Sequence, residues 1–147
     1  HRDRVVLVPV LTGAMVFAAD LIRKMDLMMS IGVVAVSSYT GETTVSKGAK
    51  LRGALPNNLA GKHIVIIDDI LDSGQTLGLL QETIAEHEPA SLRSCMLLRK
   101  EVGRVVDARA DYIGFDIPDE FVVGYGLDYN GFYRNLPDIR VLEERAG

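Results

Sequence analysis

Short runs of β-branched and aliphatic residues alternate along the chain with segments in which apolar residues recur every third position. In the first such segment Val16, Ala19 and Ile22 form one stripe, and the charged residues lie outside it, which predicts an amphipathic helix. The alternation of strands and helices predicts an α/β domain with a mainly parallel central sheet flanked by helices. The predicted strands cover residues 5–10, 31–36, 64–67, 92–98 and 112–115, and the predicted helices cover residues 14–25 and 76–87; a tail rich in Gly and Tyr opens at Val122.

One predicted strand differs from the others because no polar residue interrupts it. Residues 64–67 read Ile-Val-Ile-Ile, and an unbroken aliphatic run is typical of a parallel strand that is buried on both faces. We expect this strand to end at Asp68 and Asp69, where the polarity changes abruptly.

A long polar segment separates the second and third predicted strands. Residues 39–50 are rich in Thr, Ser, Gly and Lys and contain almost no aliphatic side chains. Such composition predicts a mobile loop without regular structure. Loops of this length often act as lids over functional sites.

Composition and charge narrow the class of protein. The chain has 147 residues, of which 48% are hydrophobic and 24% charged, as in one globular domain. Its 16 Lys and Arg against 20 Asp and Glu leave a net charge of -4, so no nucleic-acid partner is expected. No apolar stretch reaches the roughly 20 residues of a membrane helix. The single Cys95 excludes an intrachain disulfide and fits the reducing cytoplasm.

The beginning of the sequence is unusual for a cytoplasmic protein. It opens at His1 rather than Met, and a strand that looks buried begins almost at once, at Arg4. We therefore expect that a further N-terminal segment precedes these residues.

Three carboxylates follow the aliphatic run of residues 64–67. Asp68 and Asp69 come directly after it, and Asp72 lies three residues further on. In open α/β sheets the ligand binds at the carboxyl ends of the strands. We therefore interpret these acids as ligand-binding residues; the alternative is that they only cap and solvate a loop.

A predicted helix N-terminus follows the acids. Ser73, Gly74, Gln75 and Thr76 turn the chain into this helix, and the free N–H groups and positive dipole end at such a turn attract anions, phosphate in particular. A phosphate site beside paired carboxylates suits a sugar phosphate. The acids would accept hydrogen bonds from vicinal sugar hydroxyls, directly or through a metal.

This segment closely resembles the phosphoribosyl-pyrophosphate (PRPP) motif of type I phosphoribosyltransferases, in which two acids and two aliphatic residues precede Asp-Ser/Thr-Gly-X-Thr. Other segments are similar to the same family, in its order along the chain. Leu11-Thr12-Gly13 resembles the pyrophosphate loop, Ser38-Tyr39 the start of the catalytic lid, and Leu97-Leu98-Arg99-Lys100 the segment with the purine-contacting lysine. Residues 114–129, Gly-Phe-Asp-Ile-Pro-Asp-Glu-Phe-Val-Val-Gly-Tyr-Gly-Leu-Asp-Tyr, are very similar to the purine-binding tail of the hypoxanthine-guanine branch.

The resemblance implies a type I phosphoribosyltransferase fold in one domain, with a core over about residues 4–115 and a small C-terminal hood with the purine-binding tail over about residues 116–147. It implies transfer of 5-phosphoribosyl from PRPP to the 6-oxopurine hypoxanthine, and to guanine, giving IMP or GMP plus pyrophosphate. It further implies Mg²⁺ as cofactor and a homo-oligomer, either a dimer or a tetramer, without nucleic-acid or membrane partners.

The resemblance also assigns roles on the purine side. Asp72 is expected to act as acid or base at purine N7, and Lys100 to donate to the 6-oxo group. Phe121 is expected to stack on the purine, and Val122 to offer backbone groups to its edge. Asp128 is expected to bind Mg²⁺ beside the purine.

On the PRPP side the resemblance implies a larger set, which comprises the two loops after the first and third strands and one arginine. Asp68 and Asp69 match acids near the ribose hydroxyls and, with Asp128, are the expected metal ligands. Ser38 and Tyr39 would belong to the lid. The expected PRPP- and phosphate-binding residues are Thr12, Gly13, Asp68, Asp69, Ile70, Leu71, Asp72, Ser73, Gly74, Gln75, Thr76 and Arg134.

Four positions depart from the family pattern. Asp68 stands where Glu is more common and reaches one methylene less far. Thr12 and Ser37 stand where several relatives have Lys, and Gln75 removes a positive charge found in some relatives. We expect weaker affinity for pyrophosphate and a modest effect on the 5′-phosphate, which backbone donors bind.

Two other functions are alternatives to purine salvage. A non-catalytic regulator that senses PRPP would need added basic surface, and the net charge of -4 and the presence of Asp72, Lys100 and Asp128 oppose it. A phosphoribosyltransferase for another base is the second alternative. Lys100 and the tail oppose adenine, which has no 6-oxo acceptor, whereas xanthine stays open.

Overall fold

The computed structural model describes residues 4–38 and 49–143. They form a seven-stranded sheet with two helices, and a separate two-stranded sheet lies in the tail. The elements are β1 (Val5–Leu11), α1 (Met15–Ile22), β2 (Ser30–Ile31), β3 (Val34–Ser38), β4 (Ala49–Arg52), β5 (His63–Leu71), α2 (Gln75–Ala85), β6 (Ser91–Lys100), β7 (Tyr112–Ile117), β8 (Val122–Val123) and β9 (Arg140–Val141).

The larger sheet is mainly parallel, as the sequence predicts. Its strand order is β4-β3-β1-β5-β6-β7, and the short β2 also pairs with β1. Only the β3–β4 pair is antiparallel among the described strands of this sheet. The α/β fold class is therefore confirmed, and β5 lies at the centre, between β1 and β6.

The core explains why β5 has no polar face. Ile64 and Ile66 are fully buried and pack with Leu80 of α2. The next residue, Ile67, is also fully buried and packs with Ala18 of α1 on the opposite face. Because alternate side chains of a strand point to opposite faces, helices on both sides require aliphatic residues at every position.

The expected end of β5 at Asp68 and Asp69 is wrong. The strand continues to Leu71, and its pairing with β6 continues as well, through Asp68 with Met96 and Leu71 with Arg99. The change from apolar to acidic side chains marks the edge of the core, but the backbone keeps its ladder hydrogen bonds beyond it.

Other element boundaries also differ from the prediction. The strand expected over residues 31–36 is divided into β2 and β3 at Gly32, where a Cβ atom would lie 2.6 Å from Pro56. Both helices end earlier, α1 at Ile22 and α2 at Ala85. Of the loop predicted over residues 39–50, residues 39–48 lie outside the described residues. Its last two residues begin β4, and none of β4, β8 and β9 was expected.

The tail packs on the core through apolar side chains and one polar bond. Val122 and Leu127 are buried against Leu97 and Leu98 of β6. The hydroxyl of Tyr125 donates a short hydrogen bond to the Asp20 carboxylate on α1. In the part of the chain that the structure describes, no helix has the length and apolar character needed to span a membrane.

The Tyr125–Asp20 bond makes stability depend on pH. Burial, followed by the bond to Asp20, raises the pKa of Tyr125 to about 12, and the same bond is the main cause that lowers the pKa of Asp20. A carboxyl whose folded-state pKa is lowered stabilises the fold above its unfolded-state pKa, and this contribution is lost as the pH falls through the folded-state value. The contribution is therefore complete at neutral pH and declines in acid.

We expect Tyr125→Phe to lower the Tm by about 2–4 °C at pH 7, as loss of one hydrogen bond does in a domain of this size. The difference from the wild type should shrink toward pH 3, measured by thermal unfolding. Tyr112→Phe is the control, because the Tyr112 hydroxyl bonds Arg93, which does not titrate in acid. A Tyr125→Phe difference that stays constant down to pH 3 would contradict the pairing with Asp20.

Candidate active site

Two adjoining cavities lie at the carboxyl end of the central strands. The larger has a volume of about 450 Å³ and is bordered by the turn after β1, the end of β5 and the start of α2. The smaller, of about 150 Å³, is bordered by Lys100, Phe121 and Val122. Four residues line both cavities, so that the two form one continuous site: Asp69, Ile70, Asp72 and Asp128.

The acid pair at the end of β5 is held by its own backbone. Oδ1 of Asp68 accepts the N–H of Asp69 at 2.8 Å, and Oδ1 of Asp69 accepts the N–H of Ile70 at 2.8 Å. Burial raises the pKa of Asp68 well above its ordinary value, and the adjacent Asp69 charge adds to the rise. Burial also raises the pKa of Asp69. The two carboxyl groups are thus oriented before any ligand arrives.

Gly13 fits between the acid pair and the tail. A Cβ atom at Gly13 would lie 2.1 Å from Oδ2 of Asp69, and one at Gly126 would lie 2.5 Å from the Gly13 carbonyl oxygen. Neither position has room for a side chain. The turn after β1, which begins with the cis peptide bond Leu11–Thr12, is therefore fixed against both neighbours.

The turn into α2 has the geometry of an anion site. Gly74 precedes the helix with a φ of 85°, and a Cβ atom there would lie 2.4 Å from the Val106 carbonyl oxygen. The Ser73 hydroxyl accepts the N–H of Gln75 at 3.3 Å. Thr76 and Leu77, in the first helical turn, line the larger cavity, and N–H groups in a first turn have no partner within the helix.

Lys100 lies between two carboxylates at the smaller cavity. Its Nζ is 3.5 Å from Oδ2 of Asp72 and 3.7 Å from Oδ1 of Asp119. The lysine side chain is only 11% exposed, whereas that of Asp72 is 54% exposed. The cation is therefore held in place, and Asp72 stays open to a ligand.

An aromatic side chain borders the same cavity. Phe121 is 49% exposed, and its ring meets Tyr129 edge to face, with the centroids 5.7 Å apart. Val122 beside it is buried in the small β8–β9 sheet. An exposed ring next to fixed backbone suits a flat heterocycle.

Asp128 and Arg134 connect the tail to the larger cavity. Oδ1 of Asp128 is 3.4 Å from Nη2 of Arg134, and its Oδ2 accepts the N–H of Gly131 at 2.8 Å. Arg134 also donates to the Gly126 carbonyl oxygen at 2.7 Å. Its charge opposes the rise in the pKa of Asp69. These contacts bring a cation and a carboxylate to the cavity wall opposite the acid pair.

The carboxylates that line the two cavities suit a hard, oxygen-binding metal ion. Over residues 4–38 and 49–143, no group of three or more His, Cys, Asp or Glu side chains is arranged to enclose a metal. Asp69 and Asp128, however, both line the larger and the smaller cavity. Mg²⁺ is typically bound by one or two carboxylates together with water and substrate oxygens, so the site suits Mg²⁺ that arrives with a phosphorylated substrate.

The site residues expected from the sequence line these cavities, apart from Ser38 and Tyr39. Ser38 ends β3, and Tyr39 lies outside the described residues. The sequence did not indicate two further residues, Asp119 and Arg104, whose guanidinium contacts the Asp72 and Lys100 backbone. Charged residues in polar loops are usually exposed to solvent, so the sequence around Asp119 and Arg104 did not distinguish them from other surface charges.

Comparison with known proteins agrees with this geometry. The model of the family described as phosphoribosyl transferase domain matches residues 1–130. The chain is 44% identical over 141 residues to a hypoxanthine-guanine phosphoribosyltransferase of Streptococcus pneumoniae, covering 96% of this chain and 78% of that one. It is 47% identical over 135 residues to the Bacillus subtilis protein of the same name, covering 91% and 74%.

A solved structure of similar sequence has the same fold. The crystal structure of a hypoxanthine-guanine phosphoribosyltransferase from Bacillus anthracis superposes with a TM-score of 0.87 at 42% identity, covering 96% of this chain and 82% of that chain. Its agreement confirms the fold that the PRPP-like segment and the tail predict. Since the family match and these relatives span most of the sequence, the chain belongs to the phosphoribosyltransferase family and, within it, to the hypoxanthine-guanine phosphoribosyltransferases.

Proposed function

We propose that this protein transfers the 5-phosphoribosyl group of PRPP to hypoxanthine, and to guanine, giving IMP or GMP and pyrophosphate in purine salvage. One observation carries the proposal: the cavity with Lys100, Asp72 and Phe121 opens into the cavity with the acid pair and the turn into α2. A base and a sugar phosphate bound in the two cavities would meet at Asp72.

The larger cavity supplies what PRPP requires. The turn of residues 73–76 would bind the 5′-phosphate through N–H groups at the start of α2. Asp68 and Asp69 would accept hydrogen bonds from the ribose hydroxyls. Thr12 and Gly13, with Arg134 on the facing wall, would contact the pyrophosphate; Ile70 and Leu71 would complete the floor.

The smaller cavity supplies what a 6-oxopurine requires. Nζ of Lys100 would donate to the 6-oxo oxygen, an acceptor that adenine lacks. The exposed face of Phe121 would stack on the ring, and Val122 would offer backbone groups to its edge. Because Lys100 is held by Asp72 and Asp119, its position is set in advance, which favours catalysis by orientation.

The chemical step forms one bond and breaks one. A ring nitrogen attacks C1 of the ribose, and the bond from C1 to pyrophosphate breaks, so that pyrophosphate leaves with the electron pair. The proton on N7 passes to the carboxylate of Asp72, which restores the aromatic neutral base. The lid expected from Ser38 and Tyr39 would exclude water, which would otherwise attack C1.

Mg²⁺ is part of this proposal. When bound, it would neutralise charge on the leaving pyrophosphate. Asp128 is the main candidate to hold it, because it lines both cavities, as does Asp69. Asp68, which is buried and lines only the larger cavity, is the less accessible member of the acid pair.

We further propose a division of the chain into two parts, an oligomeric state and a cellular location. The separate β8–β9 sheet supports a division into a core of about residues 4–115 and a hood with the purine-binding tail from about residue 116. Large exposed apolar side chains near β2, among them Met28, Ile31 and Val33, support association into a dimer or tetramer. A single cysteine supports a cytoplasmic location.

A panel of free bases tests the proposed function directly. Purified protein with PRPP and Mg²⁺ should form nucleotide from hypoxanthine, and adenine should give none, because it offers no 6-oxo acceptor to Lys100. Product is detected by chromatography. Nucleotide from xanthine alone would make it a xanthine enzyme, and tight PRPP binding without product from any 6-oxopurine would favour the PRPP-sensing regulator.

Asp72→Asn should slow nucleotide formation by roughly 10²–10⁴, the usual worth of general acid–base catalysis. Asparagine keeps the size and one acceptor but cannot take a proton. Single-turnover rates should show the loss while PRPP affinity stays near the wild-type value. Asp107→Asn, which alters an exposed acid that pairs with Arg109 at the surface, is the control. If PRPP affinity collapsed and the chemical step did not change, Asp72 would instead be a PRPP-binding residue.

Asp128→Ala should raise the Mg²⁺ and PRPP concentrations needed for half-maximal rate, because it removes a carboxylate that lines both cavities. Titration of Mg²⁺ at fixed PRPP measures the effect. Asp138→Ala serves as the matched variant, since Asp138 lies in the same tail and pairs with Arg140 at the surface. Identical titration curves for the wild type and Asp128→Ala would remove Asp128 from the metal site.

A further inference from the structure

Arg104 contacts the backbone of both charged residues at the smaller cavity, Asp72 and Lys100. Its Nη1 lies 3.1 Å from the carbonyl oxygen of Asp72, 3.0 Å from that of Lys100 and 2.9 Å from that of Val102. Asp72 and Lys100 are the residues whose side chains meet 3.5 Å apart at the smaller cavity. Arg104 is half-buried, and its guanidinium joins the backbone of Asp72 to that of Lys100.

The position of this contact matters because the β5–β6 ladder ends there, although Lys100 still pairs with Ile117 of β7. The parallel pairing of β5 with β6 stops at Leu71 opposite Arg99, so that Asp72 and Lys100 are the first residues beyond the last pair. Beyond the last pair, the two chain segments are held by the Lys100–Asp72 ion pair, by the N–H groups that follow Arg104 and by Arg104 itself. Arg104 contributes hydrogen bonds from a charged donor, which are roughly twice as strong as neutral ones.

Arg104 is itself held in place by its neighbours in the chain. The next two N–H groups, of Val105 and Val106, donate to the Ser73 carbonyl oxygen at 2.9 and 3.1 Å. Gly74 leaves no room for a Cβ atom against the Val106 carbonyl oxygen. The segment that carries Arg104 is thus fixed to the turn into α2, and the guanidinium position is fixed with it.

We propose that Arg104 is a positioning residue that sets the distance between Asp72 and Lys100. This distance decides whether one purine can place its N7 at Asp72 and its 6-oxo oxygen at Lys100 at the same time. This inference rests on the proposed function of both residues. A purine presents its N7 and its 6-oxo oxygen on the same edge, so one base must meet Asp72 and Lys100 together. A small error in their spacing disfavours every base that needs both contacts, and misplacement of about 1 Å can cost about 10²-fold in rate.

Hydrogen exchange tests the connection without any substrate. In Arg104→Met, which keeps the aliphatic stem, amides of residues 72–76 and of residues 100–104 should both exchange faster than in the wild type. Arg109→Met is the matched control, because Arg109 lines a groove together with Lys100 and Arg104, is 87% exposed and, among the described residues, forms an ion pair with Asp107 alone. Faster exchange confined to residues 100–104 would overturn the connection, since Arg104 would then stabilise only its own loop.

A double-mutant cycle tests the role in catalysis. Arg104→Met should raise the KM for hypoxanthine and lower the single-turnover rate, each by about 10-fold or more, with a much smaller effect on the KM for PRPP. In a Lys100→Met background the effect of Arg104→Met on the hypoxanthine KM should fall below about 2-fold, because residues that act through one contact are not additive. Arg104→Lys, which keeps the charge but whose side chain ends one bond short of the position of Nη1, should lie between.

Losses that add fully in the double variant, or an equal rise in both KM values, would overturn the positioning role and leave Arg104 a general stabiliser of the fold. Failure of the proposed function is a distinct result. In that case the wild type itself forms no nucleotide from any 6-oxopurine, which overturns the catalytic part of the inference. Hydrogen exchange then still decides whether Arg104 joins the two segments.

Discussion

The burial of the aliphatic residues of β5 on both faces of the sheet, between two parallel neighbours, is the constraint on which the rest of the molecule depends. Helices cover both faces of this strand, so its aliphatic residues hold the backbone in one register up to the edge of the core. The chain then delivers Asp68, Asp69 and Asp72 to the carboxyl edge, where neighbouring loops converge. A strand with one solvated face would leave that edge freer to shift, and the distances in the site would no longer be defined.

This delivery of charge has an energetic cost. Asp68 is almost fully buried, and burial of a carboxyl favours its neutral form, which is why the pKa values of both acids rise; the charge of Asp69 adds to the rise at Asp68. The cost is offset only in part, by the N–H groups of Asp69 and Ile70 and by the charge of Arg134. Acids so placed add little to the stability of the free protein, and their presence is explained by a ligand that uses them.

The sequence predicted the fold class and most of the cavity lining because these depend on local patterns. An aliphatic run followed by acids and a glycine turn specifies strand, edge and helix start within a dozen residues. It could not predict that β5 continues past Asp69, because side-chain polarity does not report backbone pairing. Nor could it predict Arg104, whose bond to Asp72 arises only when two segments distant in the sequence meet.

The contact of Gly126 with Gly13 has a consequence for the order in which the molecule is made. The turn after β1 leaves the ribosome early, but the tail that closes against it is synthesised more than a hundred residues later, as is the Tyr125 hydroxyl that bonds Asp20. Contacts of such sequence separation form late, since a long loop must close first. The nascent chain therefore carries the residues of its acid pair and of the turn into α2 before it has any enclosed place for a base.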